Sequence, residues 1–300
     1  MIAEYKEILY KYIARYQEEL NHIFTNSWNG IADRGETLQL KDFLLEENVG
    51  VKYINNQINQ LPNKYFSIKF NAIYSHGSPQ VTFDFNREPI KRELADLLVI
   101  LRINEVKSKS ETLYSSSFLS QWKLNQRDNR NPGQAYLYDS ADRFFMPIWI
   151  AGHDEASRER IFDNRANTLN FFYLNDKNFL KRPAGGGSFS FSQLLIDLLN
   201  FQYGLAFNSE IWSNNPIENP SHWDNLMNDL INKVGRTKKI KGAVQSKLIE
   251  YFISNKPYYY HIDNEEVVND TDTHEEKRFQ SILILDINFD RTLKIEKLGF

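Results

Sequence analysis

Cysteine is missing altogether from the 300 residues. That excludes disulfides, thiolate metal centres and a cysteine nucleophile. It accords with a reducing compartment, and a cytoplasmic protein is expected. No apolar run approaches the roughly 18 residues that a membrane-spanning helix needs. The opening MIAEYKEILYKYIARY lacks the apolar stretch of a signal peptide, so no membrane partner is expected. A phosphate-binding Gly-x-x-x-x-Gly-Lys-Ser/Thr loop is absent too. Gly185-Gly186-Gly187 has the wrong spacing for one and reads as flexible punctuation. There is no serine–histidine–aspartate arrangement, no zinc motif, no internal repeat and no clear linker. Excess positive charge is also lacking, since the formal net charge is −3. This argues against a non-specific coat on nucleic acid, while a local basic groove or a basic partner remains compatible with it.

What is present is core material. Hydrophobic residues make up 41% and aromatic residues 14%, with 21 Phe and 16 Tyr, enough for one large domain or two modest ones. Rings of this kind pack cores or stack on bases, and their number does not choose between the two.

Apolar spacing at Ile8, Leu9, Tyr12, Ile13, Tyr16 and Leu20 predicts one amphipathic helix over 2–24. A mixed segment follows around LKDFLLEENVG. Residues 65–85 read as two strands broken at His76-Gly77-Ser78-Pro79. A buried strand is expected over 93–103, a hairpin turn or loop over the polar NEVKSKSETLYS, and a neighbouring strand over 116–124. A loop spans 125–133, a helix starts near Gln134, and MPIWIAG (146–152) reads as a short strand. Helices are expected from about 189, over 222–234 and over 244–254, then a polar loop over 267–278 and a closing strand over 281–289. The pattern implies an α/β or α+β fold around a mostly central sheet.

The chemistry concentrates in Asp96 and in Gln121-Trp122-Lys123. Within a strand, Gln121 and Lys123 share a face because side chains alternate, while Trp122 faces the other way. If the two strands pair, Asp96 meets Gln121 and Lys123 at one edge. Asp96 then offers a hard oxygen to Mg²⁺ or Mn²⁺, and Gln121 a weaker carbonyl oxygen. Lys123 can orient water or stabilise charge on phosphate. Plainer roles stand beside these: Asp96 as a turn acid at a strand end, Lys123 as a surface lysine, Gln121 as a lining residue.

These segments, Glu93-Leu-Ala-Asp96 and Gln121-Trp-Lys123, resemble the signature of PD-(D/E)xK nucleases, with Gln121 standing where the usual pattern has Glu. Gln134-Ala-Tyr-Leu-Tyr138 is similar to the Gln-x-x-x-Tyr element of the RecB-like branch. The similarity covers roughly 65–150 and extends to uncharacterised bacterial restriction-like proteins, some in anti-phage defence. It implies a restriction-endonuclease-like core, a central mixed sheet flanked by helices, with a helical C-terminal elaboration. The implied division is a core over 1–180 and an elaboration with a closing strand over 181–300, packed on the same core. The implied activity is a divalent-metal-dependent nuclease acting on nucleic acid, DNA before RNA, with Asp96, Gln121, Lys123 and Glu93 catalytic. Asp96 and Gln121 would hold Mg²⁺ or Mn²⁺, and Gln134, Tyr138 and His76 would line the substrate. A homodimer and a partner defence protein are compatible with such a role.

Lesser candidates carry plainer readings. Glu93 lies three residues before Asp96 and faces the other way in a regular strand, unless a bulge or strand start intervenes. Glu18 and Glu19 could supply an acid from the first helix, though a solvated face suits them better. The side chains of His153-Asp154-Glu155 diverge. Lys91, Arg92, Arg102, Arg127 and Arg130 could contact phosphate or simply be solvated. The competing reading is a catalytically silent nuclease-like fold that binds nucleic acid or a partner, favoured by Gln121.

Overall fold

The computed structural model describes residues 2–75, 77–106, 110–124, 132–174, 179–181, 188–213, 215–233, 257–262 and 280–290. Four helices come first: α1 (Ile2–Arg15), α2 (Gln17–Asn26), α3 (Glu36–Leu45) and α4 (Gly50–Ile58). Strands β1 (Phe66–Ser75), β2 (Gln80–Phe85), β3 (Glu88–Glu93), β4 (Leu97–Val106) and β5 (Ser110–Lys123) follow, then α5 (Pro132–Asp139) and β6 (Phe144–Phe145). Short pieces come next: α6 (Ile148–Ala151), α7 (Glu155–Arg158), β7 (Glu159–Arg160) and α8 (Arg165–Thr168). The chain continues through β8 (Leu169–Tyr173), β9 (Phe179–Lys181), β10 (Ser188–Phe189), α9 (Phe191–Leu199), β11 (Leu205–Phe207), α10 (Glu210–Ser213) and α11 (His222–Asn228). A π-helical turn (Asp229–Lys233), β12 (Tyr259–Ile262) and β13 (Ser281–Asp290) complete the described elements.

The architecture is α/β, with a central mixed sheet flanked by helices. The main sheet runs β10-β9-β8-β5-β4-β13-β1-β12, and β11 also pairs with β5. β4 and β5 form an antiparallel hairpin, and β8 lies parallel to β5. β13 lies parallel to β4 and antiparallel to β1, so a strand from the end of the described chain fills the middle of the sheet. A smaller sheet, β3-β2-β6-β7, sits beside it.

β4 and β13 are buried on both faces, which is why LLVIL and ILIL are continuous apolar runs rather than alternating ones. Leu97, Val99, Leu101 and Ile103 face the cluster built with α1, α2, α3, α4 and α9. Leu98 and Ile100 face a second cluster holding Leu137 and Tyr138 of α5 and Trp223 of α11. α1 meets its cluster through Tyr5, Ile8, Leu9, Tyr12 and Ile13, the stripe of an amphipathic helix. α11 starts at a reciprocal capping box between Ser221 and Asp224. α3 and α4 press together at Gly50, where φ is +51° and a Cβ would lie 1.8 Å from the Phe43 carbonyl oxygen.

Several expected boundaries shift. The helix expected over 2–24 is two, because the backbone leaves helical geometry at Tyr16 (φ −111°, ψ 25°). Apolar spacing is nearly unchanged across such a break, so the sequence does not reveal it. MPIWIAG is not a strand: Ile148–Ala151 is one helical turn after Pro147, and so short an apolar run carries no decisive period. The polar stretch after Ile103 is mostly strand, since cross-strand pairing holds both flanks of the hairpin. The strand expected over 93–103 begins at Leu97 and runs to Val106, while Glu93 ends β3. The helix expected over 222–234 becomes π-helical after Asn228. The expected helix at 244–254 and the loop at 267–278 lie outside the described residues. No helix among the described residues is long and apolar enough to cross a membrane.

Candidate active site

The hairpin of β4 and β5 brings together residues 25 positions apart. Leu97 pairs with Ser120, and the Asp96 amide donates to the Ser120 carbonyl at 3.0 Å, so Asp96 extends the ladder opposite Gln121. Its Oδ2 accepts from the Gln121 side-chain amide and, at 2.6 Å, from the Trp122 backbone N–H. Trp122 points the other way, into a ring cluster with Trp28, Phe43 and Phe172, which anchors the end of β5.

Behind this pair stands α5. Gln134 Nε2 donates to Gln121 Oε1 and to the Glu93 carbonyl, each at 2.8 Å. Tyr138, one turn later on the same face, donates its hydroxyl to the Leu94 carbonyl at 2.9 Å. The bend carrying Asp96 is thus held from the helix. Both residues are buried, Tyr138 completely, so their polar groups serve the bend and Gln121. This is where the expected substrate-lining residues Gln134 and Tyr138 stand. The third, His76, lies outside the described residues.

Glu93 and Asp96 do not share a strand. A bend at Leu94–Asp96 separates them, so the alternation argument that set them on opposite faces does not apply. Burial pushes the Asp96 carboxyl up to about 7, with the charges of Glu93 and Glu36 adding to the rise, against the pull of Lys123 and the Trp122 N–H. Tyr138 is raised well above its ordinary value by burial, then by the charge of Asp96.

Glu36 is the site residue that sequence reasoning missed. It opens α3, accepts from the Leu124 backbone N–H at 3.0 Å, and lies 3.6 Å from Lys123 Nζ. It stands 87 positions before Lys123, and an acid in a helix's first turn is too common a feature to have singled it out. Glu18 and Glu19, the acids considered from the first helical segment, are exposed on α2. A second missed residue is Gln280, whose Nε2 donates to the Ala95 carbonyl at 3.0 Å.

Other candidates have different surroundings. Arg102 is not a surface cation for phosphate: it is buried and paired with Asp286 through two hydrogen bonds, at 2.6 and 2.9 Å. Asp154 is exposed and caps α7 through Ser157, and His153 and Glu155 are exposed beside it. Lys91 is exposed and Arg92 partly so, both on β3. Arg127, Arg130 and Gly185-Gly186-Gly187 lie outside the described residues.

A hard divalent cation would draw on the carboxylate oxygens here. Asp96 is an inward carboxylate with a raised proton affinity, and Glu93 and Glu36 lie within its field. Gln121 fits less well as a ligand, because its nitrogen faces Asp96 and its oxygen accepts from Gln134. Among the described residues no group of three or more acidic or histidine side chains gathers closely enough to hold a metal by itself. Compared with known proteins, the chain matches no family model, no curated protein and no solved structure.

Proposed function

We propose that the chain is a divalent-metal-dependent nuclease of restriction-endonuclease-like architecture, hydrolysing phosphodiester bonds at the site around Asp96. The observation that carries this reading is the junction of Asp96 with the end of β5. One carboxylate, the amide of a Gln-x-Lys strand and a Gln-x-x-x-Tyr helix converge on one bend, and the lysine of that strand acts on the carboxylate through its charge. The element order is compatible with it: an antiparallel hairpin carrying the acid and the lysine, then a helix, then, after the short elements β6 to α8, a strand parallel to the hairpin's second arm.

Hydrolysis places a water oxygen on phosphorus, breaks the bond from phosphorus to the departing sugar oxygen, and moves one proton from the water to that oxygen. Asp96, with Glu93 and Glu36 beside it, would hold Mg²⁺ or Mn²⁺. Bound there, the cation would polarise the phosphoryl group and acidify the attacking water. Lys123 stands at the end of β5 with Glu36 holding it, and its ammonium would meet the charge that develops on the phosphate oxygens. Gln121 steadies Asp96 instead of ligating, and Gln134 and Tyr138 fix the bend.

DNA is the proposed substrate, cut as an endonuclease in a bacterial defence or restriction setting, with a homodimer or a partner defence protein compatible with that role. Lys91 and Arg92 on β3, next to the bend, would offer backbone contacts despite the acidic balance of the chain. A second reading, a silent nuclease-like subunit that binds nucleic acid or a partner, is favoured by one observation: the Gln121 oxygen is already engaged by Gln134.

Supercoiled plasmid incubated with Mg²⁺ or Mn²⁺ separates the two. Nicking or linearisation that disappears with EDTA and in Asp96→Ala supports the enzyme. Cleavage that survives in Asp96→Ala removes this site from the reaction. Plasmid binding without cleavage supports the silent subunit.

A further inference from the structure

The bend before β4 is held in an unusual way. Its consecutive carbonyls, those of Glu93, Leu94 and Ala95, each accept a hydrogen bond from a side chain distant in sequence. Gln134 and Tyr138 of α5 take the first two. Gln280, immediately before β13, takes the third at 3.0 Å. Ser281 pairs with Leu97 in the parallel ladder of β13 and β4, so Gln280 lies beside Asp96 on the side away from β5. Asp96 is therefore flanked by Gln121 on one side and by Gln280 on the other.

The orientation of the Gln280 amide is determined by its neighbours. Its nitrogen faces two carbonyl oxygens, Ala95 at 3.0 Å and Ser281 at 3.4 Å. The reverse orientation would set three acceptors against one another. The Gln280 oxygen is consequently turned away from both carbonyls, and it is buried with no hydrogen-bond partner among the described residues. The residue as a whole is only 2% exposed. A buried acceptor without a donor is costly. Donating to these two backbone carbonyls does not explain keeping that cost.

Resting on the proposed metal-dependent site, we infer that Gln280 is a positioning residue for Asp96. Its nitrogen fixes the bend through the Ala95 carbonyl. Its open oxygen is the acceptor left for the hydration shell of the cation that Asp96 would hold. This gives the C-terminal part of the chain a share in the site: β13 completes the sheet, and the residue just before it completes the support of the acid.

The test is Mn²⁺ binding to the full chain, followed by electron paramagnetic resonance, in wild type, Asp96→Asn, Gln280→Met and Gln280→Glu. Wild type is expected to bind Mn²⁺ and Asp96→Asn to lose it. Gln280→Met should weaken binding about tenfold or more, the scale seen when partners behind metal ligands are removed. Gln280→Glu, which keeps an acceptor but loses the donor to Ala95, should fall between Gln280→Met and wild type. In wild type, Mn²⁺ should also broaden the Gln280 side-chain amide signal in NMR spectra, a readout that needs no variant to fold. Wild-type affinity in Gln280→Met together with an unbroadened amide overturns the inference and leaves the nuclease reading standing. If Gln280→Met does not fold, an unbroadened amide overturns it alone. Wild type without Mn²⁺ binding removes the metal site itself, and the inference with it.

Discussion

Two aspartates flank β4, Asp96 just before the strand and Asp286 on the neighbouring β13, and their surroundings differ in kind. Asp286 lies opposite Arg102 in the second half of the strand. It accepts two hydrogen bonds from the guanidinium and further ones from Asn71 and Asn104, while the Trp212 ring lies 4.3 Å from the Arg102 guanidinium carbon. Asp96, at the start of the strand, is held by an amide and a backbone N–H and has no cation in direct hydrogen-bonding contact among the described residues. Lys123 acts on it only through space, and Glu36 draws that lysine aside. The difference teaches how to sort buried acids. One that is matched charge for charge holds the fold together. One that is held in place yet left unmatched keeps a raised proton affinity, and that same deficit makes it receptive to a cation.

The sharpest way to break this contrast is Asp286→Ala. It leaves Arg102 buried without its partner, and stability should fall by about 3–5 kcal/mol. Urea unfolding followed by circular dichroism measures it, and a loss below about 1 kcal/mol would put the matched-pair account out of use. The opposite sign is expected at Asp96. The Asp96 carboxyl rises from 3.8 to about 7 on folding, so the native state binds the proton more tightly than the unfolded chain. Metal-free stability is therefore fullest below pH 4 on this group's account and declines as pH climbs from about 4 to 7. Asp96→Asn should remove that decline and gain about 1–3 kcal/mol at pH 8, after allowance for the group's partial exposure. Parallel pH profiles in wild type and Asp96→Asn would contradict it. The smallest stability effect belongs to Glu36→Gln. The pair with Lys123 is partly exposed, so stability should change by less than about 1 kcal/mol. Cleavage under Mg²⁺, where wild type shows it, should nevertheless drop about tenfold, equivalent to about 1.4 kcal/mol of transition-state stabilisation. Unchanged cleavage would take Glu36 out of the site.

Much of the fold was legible because local rules and tertiary demand agree. Leu97–Leu101 and Ile282–Leu285 are apolar without alternation, which marks strands covered on both faces. The alternation of Gln121, Trp122 and Lys123 agrees with a Trp122 ring in the core and a Gln121 amide on the other face, against Asp96. Where a segment was short, as in Ile148–Ala151, no period could form and the wrong element was expected. Glu93 was judged by strand alternation, and the bend at Leu94–Asp96 made that rule inapplicable.

The sequence by itself determined the candidate acid, the amide and lysine two apart, and the helix bearing Gln134 and Tyr138. Each depends on spacing within a single element, and backbone geometry converts such spacing into direction. Only the tertiary structure decided that Glu36 lies at Lys123, that Gln280 lies at the bend, and that Arg102 belongs to Asp286. Those contacts span 87, 185 and 184 positions respectively. They form because burying both faces of β4 against the helices, with β13 at its side, stabilises one sheet order. Residues far apart in the chain then become neighbours through the packing of others.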